Sequence, residues 1–313
     1  MKNFWNELPK PFLILAPMED VTNAAFRQVV ARAARPEVFF TEFINVSGFV
    51  HPLGNASVSR RLQTAPTDTP IVAQIWGSKP ADFALTAAKI CRMEQFAGID
   101  INMGCPDKSV VKSGGGAALI QNPKLAVEII QAVKNNSKLP VSVKTRLGYS
   151  SIDEWQTWQK ILLEQDLAAL SIHLRTKKEM SKVPAHYQLI PDIIQLRDSV
   201  APHTKLIVNG DIADRAAAEK LYKVFTGIDG CMIGRGVFQN PFCFEKISRQ
   251  HSETELLELL KFHLSLLENP NQNFEPFKKF FKIYINNFIG AKELRAKLMS
   301  SQSPDQALQL LNF

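Results

Sequence analysis

Ile99-Asp100-Ile101-Asn102-Met103-Gly104-Cys105-Pro106 is the stretch from which the rest of the chain can be read. Apolar and polar residues alternate around Ile99 and Ile101 as in a buried strand, and Gly104 and Pro106 then impose a sharp turn. Asn102 and Cys105 therefore fall at a strand's carboxyl end, ahead of a polar segment, 107–112, and the triple glycine 114–116. Parallel α/β enzymes keep their chemistry at such places, because the strand fixes position while the loop is released from ladder hydrogen bonds. A free cysteine there is either a small core residue or a working thiol, and spacing alone leaves both open.

Working outward, seven more short apolar runs recur at the interval of a βα unit, and nearly all end in unusual polar residues. Run 12–16 leads into Pro17-Met18-Glu19-Asp20, 38–41 into Glu42, and 71–73 into Gln74. Run 141–143 leads into Lys144-Thr145-Arg146, and 170–172 into His173-Leu174-Arg175. The last two, 206–208 and 231–233, lead into Asn209-Gly210-Asp211 and Gly234-Arg235-Gly236. Helical patterns lie between them at 22–34, 81–96, 124–133, 153–163 and 213–222. The expected fold class is α/β: a (β/α)₈ TIM barrel, residues 1–241, with every run's end on one face. A doubly wound sheet is the competitor, but its Gly-x-Gly-x-x-Gly turn is missing from the early chain. Beyond residue 241 the pattern becomes purely helical, at 253–267, 276–289, 291–299 and 304–311, giving a small helical domain, 242–313.

Composition bounds the function. The chain has 313 residues, 45% hydrophobic and 21% charged, as expected of a soluble globular protein. Its four cysteines form no Cys-x-x-Cys pair and have no histidines at ligand spacing, so neither zinc nor a disulfide framework is expected, and a reducing cytoplasm fits. No signal-peptide pattern or membrane-spanning run is found. The net charge of +7 is compatible with an acidic partner. Between 275 and 298, six basic residues, among them Lys278, Lys279, Lys282 and Arg295, stand against two acids and interleave with aromatics. That pattern suits either an RNA-binding face or a solvated one. No dimerisation coiled coil is present, so a monomer is expected.

The loops after the last two strands of such barrels often hold phosphate through backbone amides. Asn209-Gly210-Asp211 and Gly234-Arg235-Gly236 suit that task, with glycines for close approach and Arg235 for charge. Gln74, Lys144 and His173 would face the same mouth. A phosphate-tailed, planar cofactor would use all of these, and flavin mononucleotide meets the description. Lys144 would then stabilise charge on the reduced ring; the alternative is a Schiff-base lysine. An unperturbed thiol has a pKa of about 8.5 and is mostly protonated near neutrality, so Cys105 becomes a general acid opposite a hydride donor.

These motifs together resemble the tRNA-dihydrouridine synthases. The resemblance runs from Leu15 to about Leu298 and rests on the strand-end motifs above, on Ala73-Gln74-Ile75-Trp76-Gly77, and on Gly290-Ala291-Lys292-Glu293-Leu294-Arg295. It implies FMN-dependent reduction of the C5–C6 double bond of particular uridines in tRNA, with NADPH as reductant. It further implies that Pro17 and Met18 line the flavin, Gln74 bonds its ring, Lys144 lies at the ring edge and His173 flanks ring and substrate. Asn209, Gly210, Asp211, Gly234 and Arg235 would hold the ribityl phosphate. Asn102 would seat the uracil, and Cys105 would protonate C5 as hydride reaches C6. Arg146 and Arg175 are implied RNA contacts, and no metal is implied. Glu19, counted with the cofactor set, stands where the family often has a small residue, and Lys177 and Ser181 stand where an arginine and a tyrosine are common. The competing function is a small-molecule flavin oxidoreductase of the dihydroorotate-dehydrogenase kind.

Overall fold

The computed structural model describes residues 3–54, 58–267, 274–286 and 288–311. The strands are β1 (Phe12–Leu15), β2 (Phe39–Phe40), β3 (Ile44–Asn45), β4 (Ile71–Trp76), β5 (Gly98–Met103), β6 (Val141–Arg146), β7 (Ala169–His173), β8 (Lys205–Asn209) and β9 (Gly230–Ile233). All pair in parallel in the order β1-β9-β8-β7-β6-β5-β4-β2, with β3 beside β4. A bridge between Ile14 and Val38 joins β1 to the start of β2, so the sheet comes round on itself as an eight-stranded barrel.

Strand alternation sorts the side chains. Leu13, Leu15, Ile75, Ile99, Ile101, Val143, Leu170 and Val208 face outward into the shell of helices. Phe12, Ile14, Phe40, Val72, Ala169, Ile207 and Met232 pack inside, around Trp5 from the segment before β1. One turn higher, at the carboxyl end, the inward positions become polar: Gln74, Asp100, Asn102, Ser142, Ser171 and Asn209 are all buried. The barrel is thus filled with apolar side chains below and lined with hydrogen-bonding groups above.

Helices begin where caps allow. Asn23 accepts from Phe26 N–H ahead of Ala24–Ala34, and Asp214 accepts from Ala217 N–H ahead of Arg215–Val224. Helix Ile190–Val200 is additional to those expected: Pro191 punctuates the sequence, yet at the first helical turn its missing N–H costs nothing. The strands also run further than expected. β4 and β6 continue through Gln74 and Lys144, so those side chains stand on rigid strands rather than on loops.

The expected helix 276–289 is broken. Glu275–Phe280 is 3₁₀, Phe281–Tyr284 is a single α turn, and Asn287 lies outside the described residues. A 3₁₀ helix has three residues per turn, which brings Phe274, Phe277 and Phe280 onto one face. Their rings stack successively, 5.3 and 5.6 Å apart, and Phe280 reaches Phe26 of the first barrel helix at 5.2 Å. His263, on helix Glu253–Ser265, is buried among them, bonded to the Tyr284 hydroxyl at 2.9 Å. Burial pushes its pKa down to about 3, so it is a neutral ring in the core that joins the C-terminal helices to the barrel.

Candidate active site

At the carboxyl ends of β1 and β6–β9 lies a cleft of about 530 Å³. The structure brings Pro17, Met18, Lys144, His173, Asn209, Gly210, Asp211, Gly234 and Arg235 into its wall, from the ends of five strands and the turns that follow them. Gly210 has φ +124°, and a Cβ there would stand 3.1 Å from the His173 ring. Only glycine takes that conformation without strain and leaves the histidine its place. A Cβ at Gly234 would project to 3.6 Å from Ala16 and 3.9 Å from the Met18 sulfur, narrowing the cleft.

The electrostatics of the wall are cationic. Lys144 has one weak hydrogen bond, to Asn209 Oδ1 at 3.4 Å, and burial together with nearby Arg146 lowers its pKa to about 8. Burial and the surrounding Arg146, Lys144, Arg175 and Arg235 hold His173 well below the usual histidine range, so its ring is neutral. Arg175 Nη1 lies 3.2 Å from His173 Nε2. A guanidinium only donates, so Nε2 accepts and the ring proton is on Nδ1. Arg235 is 62% exposed and gives one bond of 3.2 Å to Asp211. Ser171 Oγ, inward on β7 between Ala169 and His173, is buried without a partner among the described residues. These are donors in excess of acceptors, on the floor and rim of a cleft, and they fit an anion with a ring rich in acceptor atoms.

Beside the cleft, Asn102 Oδ1 accepts the N–H groups of Gly104 (3.1 Å) and Cys105 (2.9 Å) and so shapes the turn. The triple glycine packs against that turn: Gly116 has φ +55°, and its Cβ would meet the Cys105 carbonyl at 2.8 Å. Burial raises the Cys105 pKa above its ordinary value, so the side chain is a protonated thiol at neutral pH. Such a group can give a proton but is a poor nucleophile.

Several expected residues have other placements. Glu19 turns away from the cleft to Arg61, at 2.5 Å, where a long, half-exposed carboxylate finds a cation instead of the cationic floor's far side. Gln74 is fully buried beneath the cleft, its amide engaged by Asp100 and Asn102. Arg146 and Arg175, expected at RNA, point inward because backbone carbonyls capture them. Arg146 donates to Gly104, Thr176 and Met180 carbonyls, and Arg175 to the Val183 carbonyl and to Asp211. The two arginines thereby tie the Cys105 turn and the 176–183 loop to the barrel. Lys278 is 5% exposed and paired with Glu275, since the 3₁₀ geometry folds it back. Lys279 and Lys282 are exposed, and Arg295 is half-buried with one bond to the Ile285 carbonyl at 2.8 Å.

Sequence reasoning missed Asp100 and Tyr187. The alternation that placed Asn102 inward places Asp100 inward as well, so that signal was present. Tyr187, whose hydroxyl donates to the Gly210 carbonyl at 2.6 Å, belongs to an irregular segment that carries no pattern. Ser181, Ile212, Ala213 and Gln239 complete the cleft wall.

The model of the dihydrouridine synthase (Dus) family matches residues 14–313. The chain belongs to this family. A probable tRNA-dihydrouridine synthase of Staphylococcus aureus (strain COL) is 55% identical over 99% of this chain and 95% of its own length. Probable tRNA-dihydrouridine synthase 2 of Bacillus subtilis (strain 168) is 52% identical over 99% and 96%. Among solved structures, a 2-naphthoyl-CoA reductase complex superposes with TM-score 0.54 at 10% identity, over 77% of this chain and 50% of that one. The old yellow enzyme of Trypanosoma cruzi gives 0.51 at 11%, over 73% and 85%. These distant likenesses show the barrel fold. As a Dus family member the protein is an enzyme, an oxidoreductase. Among the described residues no helix is long and apolar enough to cross a membrane, and no three His, Cys, Asp or Glu side chains cluster to hold a metal.

Proposed function

We propose that this Dus family member reduces the C5–C6 double bond of uridines in tRNA to 5,6-dihydrouridine, with FMN as cofactor and NADPH as electron donor, acting as a cytoplasmic monomer. The observation that carries the reading is the cationic cleft in which Lys144, His173, Gly210 and Arg235 converge beside a protonated thiol.

FMN bound there would supply hydride to C6 of the uracil after reduction by NADPH. Arg235 and the glycine turns at Gly210 and Gly234 would take its phosphate, and Met18 and His173 would flank its ring. Lys144, under-partnered in the protein, would donate to the ring's acceptor edge and favour its reduced, negatively charged form. Gln74, buried below, supports this site through Asn102 rather than by lining the cleft. Cys105 Sγ–H gives its proton to C5 on the other side of the double bond, and the resulting thiolate is neutralised by nearby Lys144 and Arg146. The exposed Lys279 and Lys282 on the C-terminal helices suit phosphate contacts that position the RNA without reading its sequence. The target base must leave its stack to reach the cleft, at a cost of a few kcal/mol.

The test is mass spectrometry of nucleosides from unmodified tRNA incubated with purified protein and NADPH. A gain of two hydrogens on uridine is expected. NADPH oxidation with no such gain would refute tRNA as the substrate.

A further inference from the structure

We infer that Asp100 is a positioning residue: through Gln74 and Asn102, its carboxylate fixes the polarity of a hydrogen-bond chain that ends on the backbone of Cys105. The inference rests on the reading of Cys105 as the proton donor.

Asp100 is wholly buried in the middle of β5, facing the barrel interior. Its Oδ2 accepts from Gln74 Nε2 at 2.7 Å and its Oδ1 from Ser142 Oγ at 2.6 Å. Gln74 Oε1 accepts from Asn102 Nδ2 at 3.1 Å. Asn102 Oδ1 in turn accepts from the N–H groups of Gly104 and Cys105 at 3.1 and 2.9 Å. Every link therefore points the same way, from the Cys105 turn down to the carboxylate. Gln74 is also held by its own N–H, which donates to Thr41 Oγ1 at 3.0 Å.

A carboxamide is nearly symmetrical in shape, so packing cannot tell its oxygen from its nitrogen. Flipping Gln74 and Asn102 together would preserve the bond between them. It would also set the Asn102 NH₂ against two backbone N–H groups and drive the Cys105 turn away. An ionised carboxylate accepts and never donates, so it admits only one orientation of Gln74, and that orientation fixes Asn102. Amides do not relay protons as acids and bases do, so the chain transmits orientation rather than charge. Burying a charge in the barrel is costly even where two donors satisfy it. A carboxylate at this position is accounted for by what it imposes on its neighbours.

The argument separates two replacements at the same position. In Asp100→Asn the remaining oxygen can still accept from Gln74, while the new NH₂ donates to the Ser142 hydroxyl, which rotates to accept. The polarity survives. In Asp100→Leu the Gln74 NH₂ has lost its acceptor, so Gln74 is no longer held in the orientation that Asn102 needs. Asn102→Asp poses the converse conflict, because carboxylates at both ends compete for the Gln74 NH₂. Combining it with Asp100→Asn moves the carboxylate to the other end, and Gln74 flips to satisfy both neighbours.

The experiment measures alkylation of Cys105 by iodoacetamide in the purified flavin-loaded protein, by peptide mass spectrometry, with half-exposed Cys91 as internal reference. Melting temperature, kcat and the KM for tRNA are recorded in parallel. Asp100→Asn is expected within about threefold of the unmodified protein in alkylation rate, and Asp100→Leu to change that rate by about tenfold, as for the loss of one buried hydrogen bond. In Asp100→Leu kcat should fall while KM for tRNA stays constant. Alkylation of Cys105 unchanged in Asp100→Leu, with only the melting temperature lowered, would overturn the inference. Should that variant not fold, Asn102→Asp and its combination with Asp100→Asn decide: recovery of the alkylation rate supports the chain, and no recovery refutes it. Alkylation does not depend on turnover, so full activity of Cys105→Ala would remove the acid assignment without altering this readout.

Discussion

The two mouths of the barrel are built from the same strands and treat charge in opposite ways. At the amino-terminal mouth one carboxylate, Asp229, receives Lys10 at 2.5 Å, Arg197 at 2.8 Å and the Leu206 N–H at 2.8 Å. Arg197 spends its remaining donors on the Asp198 carboxylate and the Thr204 and Gly227 carbonyls. Trp5 closes that end, 1% exposed, with its ring 5.7 Å from Phe12 and 6.5 Å from Phe40. At the carboxyl mouth Lys144 has a single bond of 3.4 Å, Ser171 has none among the described residues, and Arg235 is mostly exposed. Where charges are paired, the structure gains stability; where cations are left under-partnered, it gains a place for an anionic ligand.

Replacing Cys105 with Ala should break the comparison most strongly. Loss of a positioned general acid should lower dihydrouridine formation by about 10²–10⁴-fold. Melting temperature and flavin content should be unchanged, as absorbance and calorimetry would show. Retained turnover would mean that the carboxyl mouth works without its thiol. Trp5→Ala should do the reverse, costing about 3–5 kcal/mol of stability for a large buried aromatic. Activity per folded molecule should survive at a temperature below the new midpoint, and urea titration beside an activity assay would check both.

Lys144 sharpens the contrast because stability and binding should move apart with pH. Its folded pKa is about 8, below the unperturbed value of about 10.4, so between those values the unfolded chain binds the extra proton. Stability from this residue therefore rises as pH increases through that window, while affinity for an anionic or acceptor-rich ligand falls as the ammonium is lost. Melting curves and FMN titrations from pH 7.5 to 9.5, compared with Lys144→Met, should show both slopes vanish in the variant. The same slope in both proteins would contradict the assignment.

The smallest difference expected is between the cations of two ion pairs, Lys10 with Asp229 and Arg61 with Glu19. Burial alone would raise Asp229, yet Lys10, the Leu206 N–H and Arg197 hold it below the usual carboxylate range. Glu19, half-exposed against Arg61, is instead raised, with burial outweighing its partner. Lys10→Ala should therefore cost more stability than Arg61→Ala, which should stay within about 1 kcal/mol. Equal losses by denaturant titration would mean that depth makes no difference to these pairs.

The alternation at Ile99, Ile101 and Met103 is local, a property of one strand's pleat, and from it the inward position of Asn102 could be read directly. The same holds for the polar ends of the other runs, which is why the barrel and most of the cleft wall were legible. The placement of Arg146 and Arg175 was not legible, for the opposite reason. Their charge is written in the sequence, but the carbonyls of Gly104, Thr176 and Met180 that capture Arg146 come from other strand ends, and that of Val183 reaches Arg175 by the folding back of its own loop. The burial of Lys278 was not legible because three-residue spacing of phenylalanines fits two kinds of helix, and packing on Phe26 and His263 chose the tighter one.

The sequence by itself determined the barrel, the family and the residue types at each strand end, because hydrophobic period and turn chemistry act over a few neighbouring residues. Only the tertiary structure decided which donors remain for a ligand and which are consumed within the protein. Partnership of that kind depends on groups far apart in the chain, as when Asp100, Gln74 and Ser142 meet across three strands, and no local pattern encodes such a meeting.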